Sequence, residues 1–287
     1  MYFGIRIHKF GKIYMFKKIR HIFGEGKAVA FATYKEWSAY RTHSLVSAFV
    51  GPTYFIVQYF VWKAVYGDTG VIAGMSFEAM VRYYGASALI GYLTMDFADW
   101  NLQMLIRTGK FLTFVLRPIN HRRFALEQKL GHRVLGLIFE FIPCLLILWL
   151  LFGVDMRPVY IGWTILSVAI TFLMNFYVNY TLGMTAFFLV NASGIRVVYQ
   201  LFANVLSGAL IPINFFPEAV RRIMMFLPFQ YTNYIPAMVW TGGADIAGFG
   251  LSVSEAVMFQ GIALVIMICA SELLYRAAIR RFTAVGA

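Results

Sequence analysis

A chain of 287 residues that is 60% hydrophobic and only 13% charged lies outside the balance of soluble globular domains, which are nearer half apolar and a quarter charged. The apolar residues gather into long runs between charged punctuation, the pattern of one polytopic membrane domain with no length left for a sizeable soluble one. The net charge of +12 falls between those runs, so it reads as a positive cytoplasmic face and not as a nucleic-acid-binding surface.

Residues 1–43 alternate basic with aromatic or aliphatic side chains. They are too charged to span, have no uninterrupted apolar core of a signal peptide, and suit an amphipathic segment lying among inner-leaflet headgroups from about Lys27 onward. The membrane domain then occupies 44–287. Its first predicted span, 44–62, is long enough at about 1.5 Å per residue to cross a core of about 30 Å. Pro52 is expected to kink it. A glycine-rich loop leads to the second span, 78–95. A polar loop over 96–133 carries seven Lys and Arg. The third span is 134–152, and the fourth begins near Val159. One apolar region then runs to Phe216, too long for one helix. The best turn within it is at 191–196, although Gly183 offers an earlier end to the fourth span.

Residues 217–250 are apolar but broken by Pro217, Pro228, Pro236, Gly242 and Gly243. Each proline removes a helical donor and clashes with the preceding turn. Short re-entrant helices at the outer face fit this stretch better than a span. The last span is 256–274. The expected fold is therefore an all-α integral membrane protein with six transmembrane helices and both termini cytoplasmic. Twenty of the 25 Lys and Arg then lie inside, and five (Lys63, Arg82, Arg157, Arg221 and Arg222) lie outside, as the positive-inside rule requires.

Visible catalysis is lacking. A phosphate-cradling loop needs GxxxxGK followed by Ser or Thr, whereas the Gly-Lys pairs here precede Ile13, Ala28 and Phe111. Ser87 sits in a loose GxSx pattern, but a serine nucleophile needs a base, and all five histidines lie outside the spans; Ser87 reads as a small packing residue. Cys144 and Cys269 fall inside apolar runs and make neither a disulfide framework nor a metal site. Glu140 stands about 9 Å along the third span. A charge at mid-span costs on the order of 2.5–3.5 kcal/mol, so Glu140 is either paired within the bundle or a proton or substrate contact. Gln58 is a second polar candidate for the pathway. Asn175 and Asn179 read as interhelical hydrogen-bonders.

Two stretches carry a family resemblance. LSGALIP at 206–212, Phe216-Pro217, Leu227-Pro228-Phe229, Pro236 and Gly242 follow the order of the last third of ABC-2 permeases of ABC transporters. RTGKFLTFVLRP at 107–118 resembles the inner loop of one branch of that family. The likeness covers nearly the whole chain. It implies half of a twelve-span transporter, paired with a second permease subunit, either the same chain or a sister chain. Two copies of an ATP-binding cassette subunit would dock from the cytoplasm of a prokaryotic cell and hold the ATP and Mg; no cofactor is expected in this chain. The resemblance further implies ATPase coupling through Arg107, Thr108, Gly109, Lys110 and Arg117, and an outer gate around Pro212, Phe216, Pro217, Pro228 and Pro236. The resemblance also implies export, and spans with no ring of acidic residues and few basic ones point to an amphipathic or lipid-like/drug-like cargo. The alternative is a self-sufficient secondary transporter or channel using Glu140 as an ion or proton site.

Overall fold

The computed structural model describes Phe31, Lys35 and residues 41–116, 120–189, 192–243 and 250–280. The amphipathic segment expected over 1–43 lies almost wholly outside those residues, as does Arg117. The first helix, α1 (Arg41–Tyr66), contains Pro52. A two-residue hairpin follows, Val71–Ile72 against Met75–Ser76, with Ile72 opposite Met75. Ala73 and Gly74 form its turn at positive φ (49° and 78°), as the twist of a two-residue hairpin loop demands. The sequence reading had only a glycine-rich loop here. Ser76 then caps α2 (Phe77–Thr94), its hydroxyl accepting from the Ala79 amide at 3.2 Å.

Two shorter helices come next, α3 (Ala98–Arg107) and α4 (Leu112–Val115). A long rod follows. Asn120 caps α5 (His121–Gly136), a π-helical turn spans Leu137–Phe141, and α6 (Ile142–Phe152) ends at Gly153 with φ 64°. The chain returns as α7 (Ile161–Met184), which closes in a 3-10 turn over Thr185–Phe187. The reversal before α8 (Ser193–Leu206) falls between the two turn positions that the sequence offered. Beyond it come α9 (Glu218–Phe226) and α10 (Tyr234–Thr241), flanked by 3-10 turns, and finally α11 (Val253–Arg280).

Among the described residues, three helical stretches are long and apolar enough to cross a membrane: His121–Phe152, Ile161–Phe187 and Val253–Arg280. They cover the predicted third, fourth and sixth spans. The other three predicted positions hold α1, α2 and α8. The first two are helices of 26 and 18 residues with less apolar faces, and α8 has 14 residues. The proline-broken stretch is not a long helix. Within it, α10 is buried along nearly its whole length and packs between α2 and α7.

Helices α1 and α2 meet at a repaired break. Pro52 has no N–H, so the carbonyl of Ala48 loses its helical donor. The Tyr92 hydroxyl fills the gap: it points at the carbonyls of Ser47 (2.8 Å) and Ala48 (3.0 Å) and accepts from the Gly51 amide at 2.6 Å. Only glycine permits this approach, because a Cβ at position 51 would stand 2.3 Å from the Tyr92 ring. Gly51→Ala should therefore cost about 1–3 kcal/mol through overpacking, measured as a lowered thermal unfolding midpoint in detergent. Gly162→Ala, where an added Cβ meets nothing within 4 Å, should leave that midpoint unchanged.

Candidate functional site: a polar groove between four helices

One cavity of about 500 Å³ opens between α1, α2, α7 and α8. Each helix contributes a stripe at helical spacing. From α1 come Val50, Gly51 and Tyr54; from α2 come Ser87, Ala88, Gly91 and Tyr92. Helix α7 supplies Asn175 and Asn179, one turn apart. Helix α8 supplies Arg196, Tyr199, Gln200, Ala203 and Asn204, continued by Ser207. The opposite face of α8 is apolar and exposed at Val197, Val198, Leu201 and Phe202. Such a helix separates a lipid-like environment from a wet one. The lining residues Arg196, Gln200 and Asn204 also interrupt the apolar pattern of α8.

At one end the groove meets the turn after α8. Three tyrosine hydroxyls donate to three successive carbonyls there: Tyr83 to Gly208 (2.7 Å), Tyr54 to Ala209 (2.6 Å) and Tyr84 to Leu210 (2.8 Å). The Tyr234 amide donates to the Ser207 carbonyl at 3.0 Å, and the Tyr234 hydroxyl bonds Asn214. The Asn233 amide group donates to both the Tyr83 and Ser87 hydroxyls at 3.3 Å. Ser87 thus faces a carboxamide and no base. Gly208 has φ 78°, and a Cβ there would stand 2.9 Å from the Tyr83 hydroxyl. The LSGALIP turn is consequently bolted to α1 and α2 by side chains.

The other end is closed by ion pairs. Asp96 pairs with Lys129 at 3.3 Å, each side chain only 3% exposed. Lys129 also donates to the Phe172 carbonyl at 2.7 Å. Arg133 donates to the Tyr92 carbonyl (2.6 Å), near the end of α2, and to Glu140 (3.3 Å). Glu140 in turn accepts from the Ser47 hydroxyl at 2.8 Å. It sits on the π-helical turn, a deviation often found where a side chain must be re-aimed. Arg196 reaches Asp99 at 2.7 Å. Burial pushes the Asp99 carboxyl above its ordinary range, while the Trp100 amide and Arg196 pull it back. Asp96 and Arg196 line the groove, yet both charges are already matched.

The candidate residues read from the sequence are spread over three regions. Gln58 is buried in α1 outside the groove lining, and Glu140 is engaged by Arg133 and Ser47. Arg107, Thr108 and Lys110 are exposed on an elbow between α3 and α4, where Gly109 adopts φ 71°. The buried Phe111 anchors that elbow against Phe187 and His121. Pro212, Phe216, Pro217, Pro228 and Pro236 mark the ends of the short elements between α8 and α11: Pro217 precedes α9, Pro228 opens a 3-10 turn and Pro236 sits in the first turn of α10. The groove residues of α8 went unrecognised in the sequence. Their signal was present, a polar recurrence at 196, 199, 200, 204 and 207 inside an apolar run.

A comparison with curated proteins, and one with solved structures, finds no match. The sequence profile of the family described as ABC-2 family transporter protein matches residues 53–286, which takes in α2, α7 and α8 whole and the second half of α1. By that match the chain belongs to the ABC-2 transporter family, as a multi-pass membrane permease subunit of the kind that associates with ATP-binding cassette subunits.

Proposed function

We propose that this chain is the membrane half of an ATP-driven exporter in the cytoplasmic membrane of a prokaryote, moving an amphipathic or lipid-like cargo. The observation that carries the reading is the polar groove between α1, α2, α7 and α8. Polar stripes on α7 and α8 that face α1 and α2 across a cavity inside an apolar bundle are a route for a molecule that is partly polar, because unsatisfied polar groups facing lipid are costly. In this reading six spans run with both termini inside, and α9 and α10 form a re-entrant outer gate hinged on the tyrosine-bolted turn. The distribution of charge supports the orientation. The end closed by ion pairs carries Arg107, Lys110, Arg122, Arg123, Lys129, Arg133, Arg196 and Arg276, while Lys63, Arg82, Arg157, Arg221 and Arg222 lie toward the other.

A second permease, the same chain or a sister, would complete the unit, and two ATP-binding cassette subunits would dock at the basic end. The exposed elbow around Arg107 and Lys110, held from behind by Phe111, is the surface offered to them. The matched charges of Glu140 favour this reading over a secondary transporter that uses it as an ion site.

Two experiments test it. The purified chain should show no ATP hydrolysis, whereas the assembly with its partner ATPase should hydrolyse ATP; activity in the isolated chain would contradict the reading. Charge reversal at Arg107→Glu and Lys110→Glu should lower co-purification of the ATPase by about tenfold or more, the scale of lost interfacial charge contacts. Unchanged co-purification and transport would remove the elbow from the docking surface.

A further inference from the structure

Most polar groups around the groove are already used. Tyr54 and Tyr92 donate to backbone carbonyls, Thr94 and Thr232 bond nearby carbonyls, and Asn233 bonds Tyr83 and Ser87. Arg196 is held by Asp99 and Asp96 by Lys129. Five side chains stand apart, the Tyr199 hydroxyl on α8 and four carboxamides. Asn175 and Asn179 on α7, and Gln200 and Asn204 on α8, line the groove and have no hydrogen-bond partner among the described residues.

Each pair is spaced one helical turn apart, which places its two side chains on one helix face with their Cβ atoms about 5–6 Å from one another. Asn175 lies about 13 Å from the nearer end of α7 at Met184, farther than its side chain reaches past the helix end. A carboxamide offers two donors and an acceptor with two lone pairs, and no charge. Two ladders of such groups recognise a ligand that alternates donors and acceptors. They give an isolated cation no carboxylate and an isolated anion no unspent positive charge.

We infer that the groove selects amphiphiles with a neutral, hydrogen-bond-rich headgroup, glycosyl or peptide-amide in chemistry, read by Asn175, Asn179, Gln200 and Asn204. This rests on the groove being the transport route. A cavity of about 500 Å³ is within the size range of small-molecule sites, roughly 300–1,000 Å³. The apolar lining, Val50, Ala88 and Ala203 among it, leaves room for the start of an acyl chain.

The test is photolabelling of the full chain in phosphatidylcholine nanodiscs with a diazirine-tagged dodecyl maltoside. Labelled peptides are expected from 175–179 and 193–206. Untagged dodecyl maltoside or a lauroylated neutral dipeptide amide should compete, and whichever competes better identifies the headgroup source. Dodecyltrimethylammonium should compete about tenfold more weakly, the scale of one lost hydrogen-bonding partner. Two independent variants, Asn175→Leu with Asn179→Leu, and Asn204→Leu, should each reduce labelling by a similar factor while eluting from size-exclusion as the wild type does. Equal competition by the cationic amphiphile, or undiminished labelling of either variant, would overturn the headgroup selection and leave the transport route standing. If no amphiphile labels the groove and two copies carrying Asn204→Cys cross-link there, the groove is a subunit contact and both readings fall.

Discussion

Replacing Glu140 with leucine lowers the stability of the folded chain by about 3–5 kcal/mol, the cost of leaving a buried charge without its partner. Arg133 stays behind in that variant, still bonded to the Tyr92 carbonyl but without its carboxylate partner, and Ser47 loses the bond to Glu140. Substituting Arg133→Leu as well should recover most of the loss, since exchanging a buried ion pair for apolar residues is often neutral. The readout is the thermal or denaturant midpoint of the purified chain in detergent. If the single variant unfolds as the wild type does, Glu140 is not a structural pair. If the double variant is no better than the single, the coupling between the two side chains is absent. A proton-coupled transporter built on Glu140 would instead lose transport with Glu140→Gln at unchanged stability.

The second large effect concerns the turn after α8. Substituting Tyr54, Tyr83 and Tyr84 together by phenylalanine keeps the ring packing but leaves the carbonyls of Gly208, Ala209 and Leu210 without their donors. A buried acceptor left unmade costs about 1–3 kcal/mol. The triple variant should thus lose several kcal/mol, with effects short of additive because the three share one turn. Amide hydrogen exchange over 207–211 should rise with the fall in midpoint. In an intact transporter the same variant should raise ATP hydrolysis that is not matched by transport, because the turn no longer follows α1 and α2. Unaltered exchange at the turn would show that the backbone holds this shape without the tyrosines.

Much of this architecture is readable from hydropathy, because burial in lipid writes itself as long apolar runs. The third, fourth and sixth spans stand out for that reason. The helices of the groove are harder to see for the opposite reason. Tyr54, Ser87, Gln200 and Asn204 interrupt the apolar pattern where the helices turn toward a shared groove, and α8 is cut to 14 residues. Proline punctuation located the short elements around α9 and α10, since Pro217, Pro228 and Pro236 each forbid a continuing helix.

Long-range partnerships left no local mark. Tyr92 repairs the break at Pro52 from 41 to 45 residues away, and Tyr84 holds Leu210 across 126. A tyrosine in an apolar run looks the same whether its hydroxyl finds lipid headgroup, water or a distant carbonyl. Glu140 could be flagged as costly from its depth, but not matched to Arg133, because the π-helical turn that re-aims it depends on tertiary contacts. The elbow at Arg107–Lys110 was legible only through its family resemblance; Gly109 marks a turn, and the exposure of its neighbours followed from the fold.

The central claim is that the groove is a wet route through the bundle. It is tested most directly by cysteine accessibility in a chain whose native Cys144 and Cys269 are replaced. Cysteines at Asn175, Asn179 and Asn204 should react with a charged, membrane-impermeant thiol reagent in the assembled transporter, and their rates should change when a non-hydrolysable ATP analogue is added. Cysteines at Ile165 and Val198, which face outward from the bundle, should stay unreactive. Groove cysteines as inert as those two, with or without nucleotide, would contradict the account.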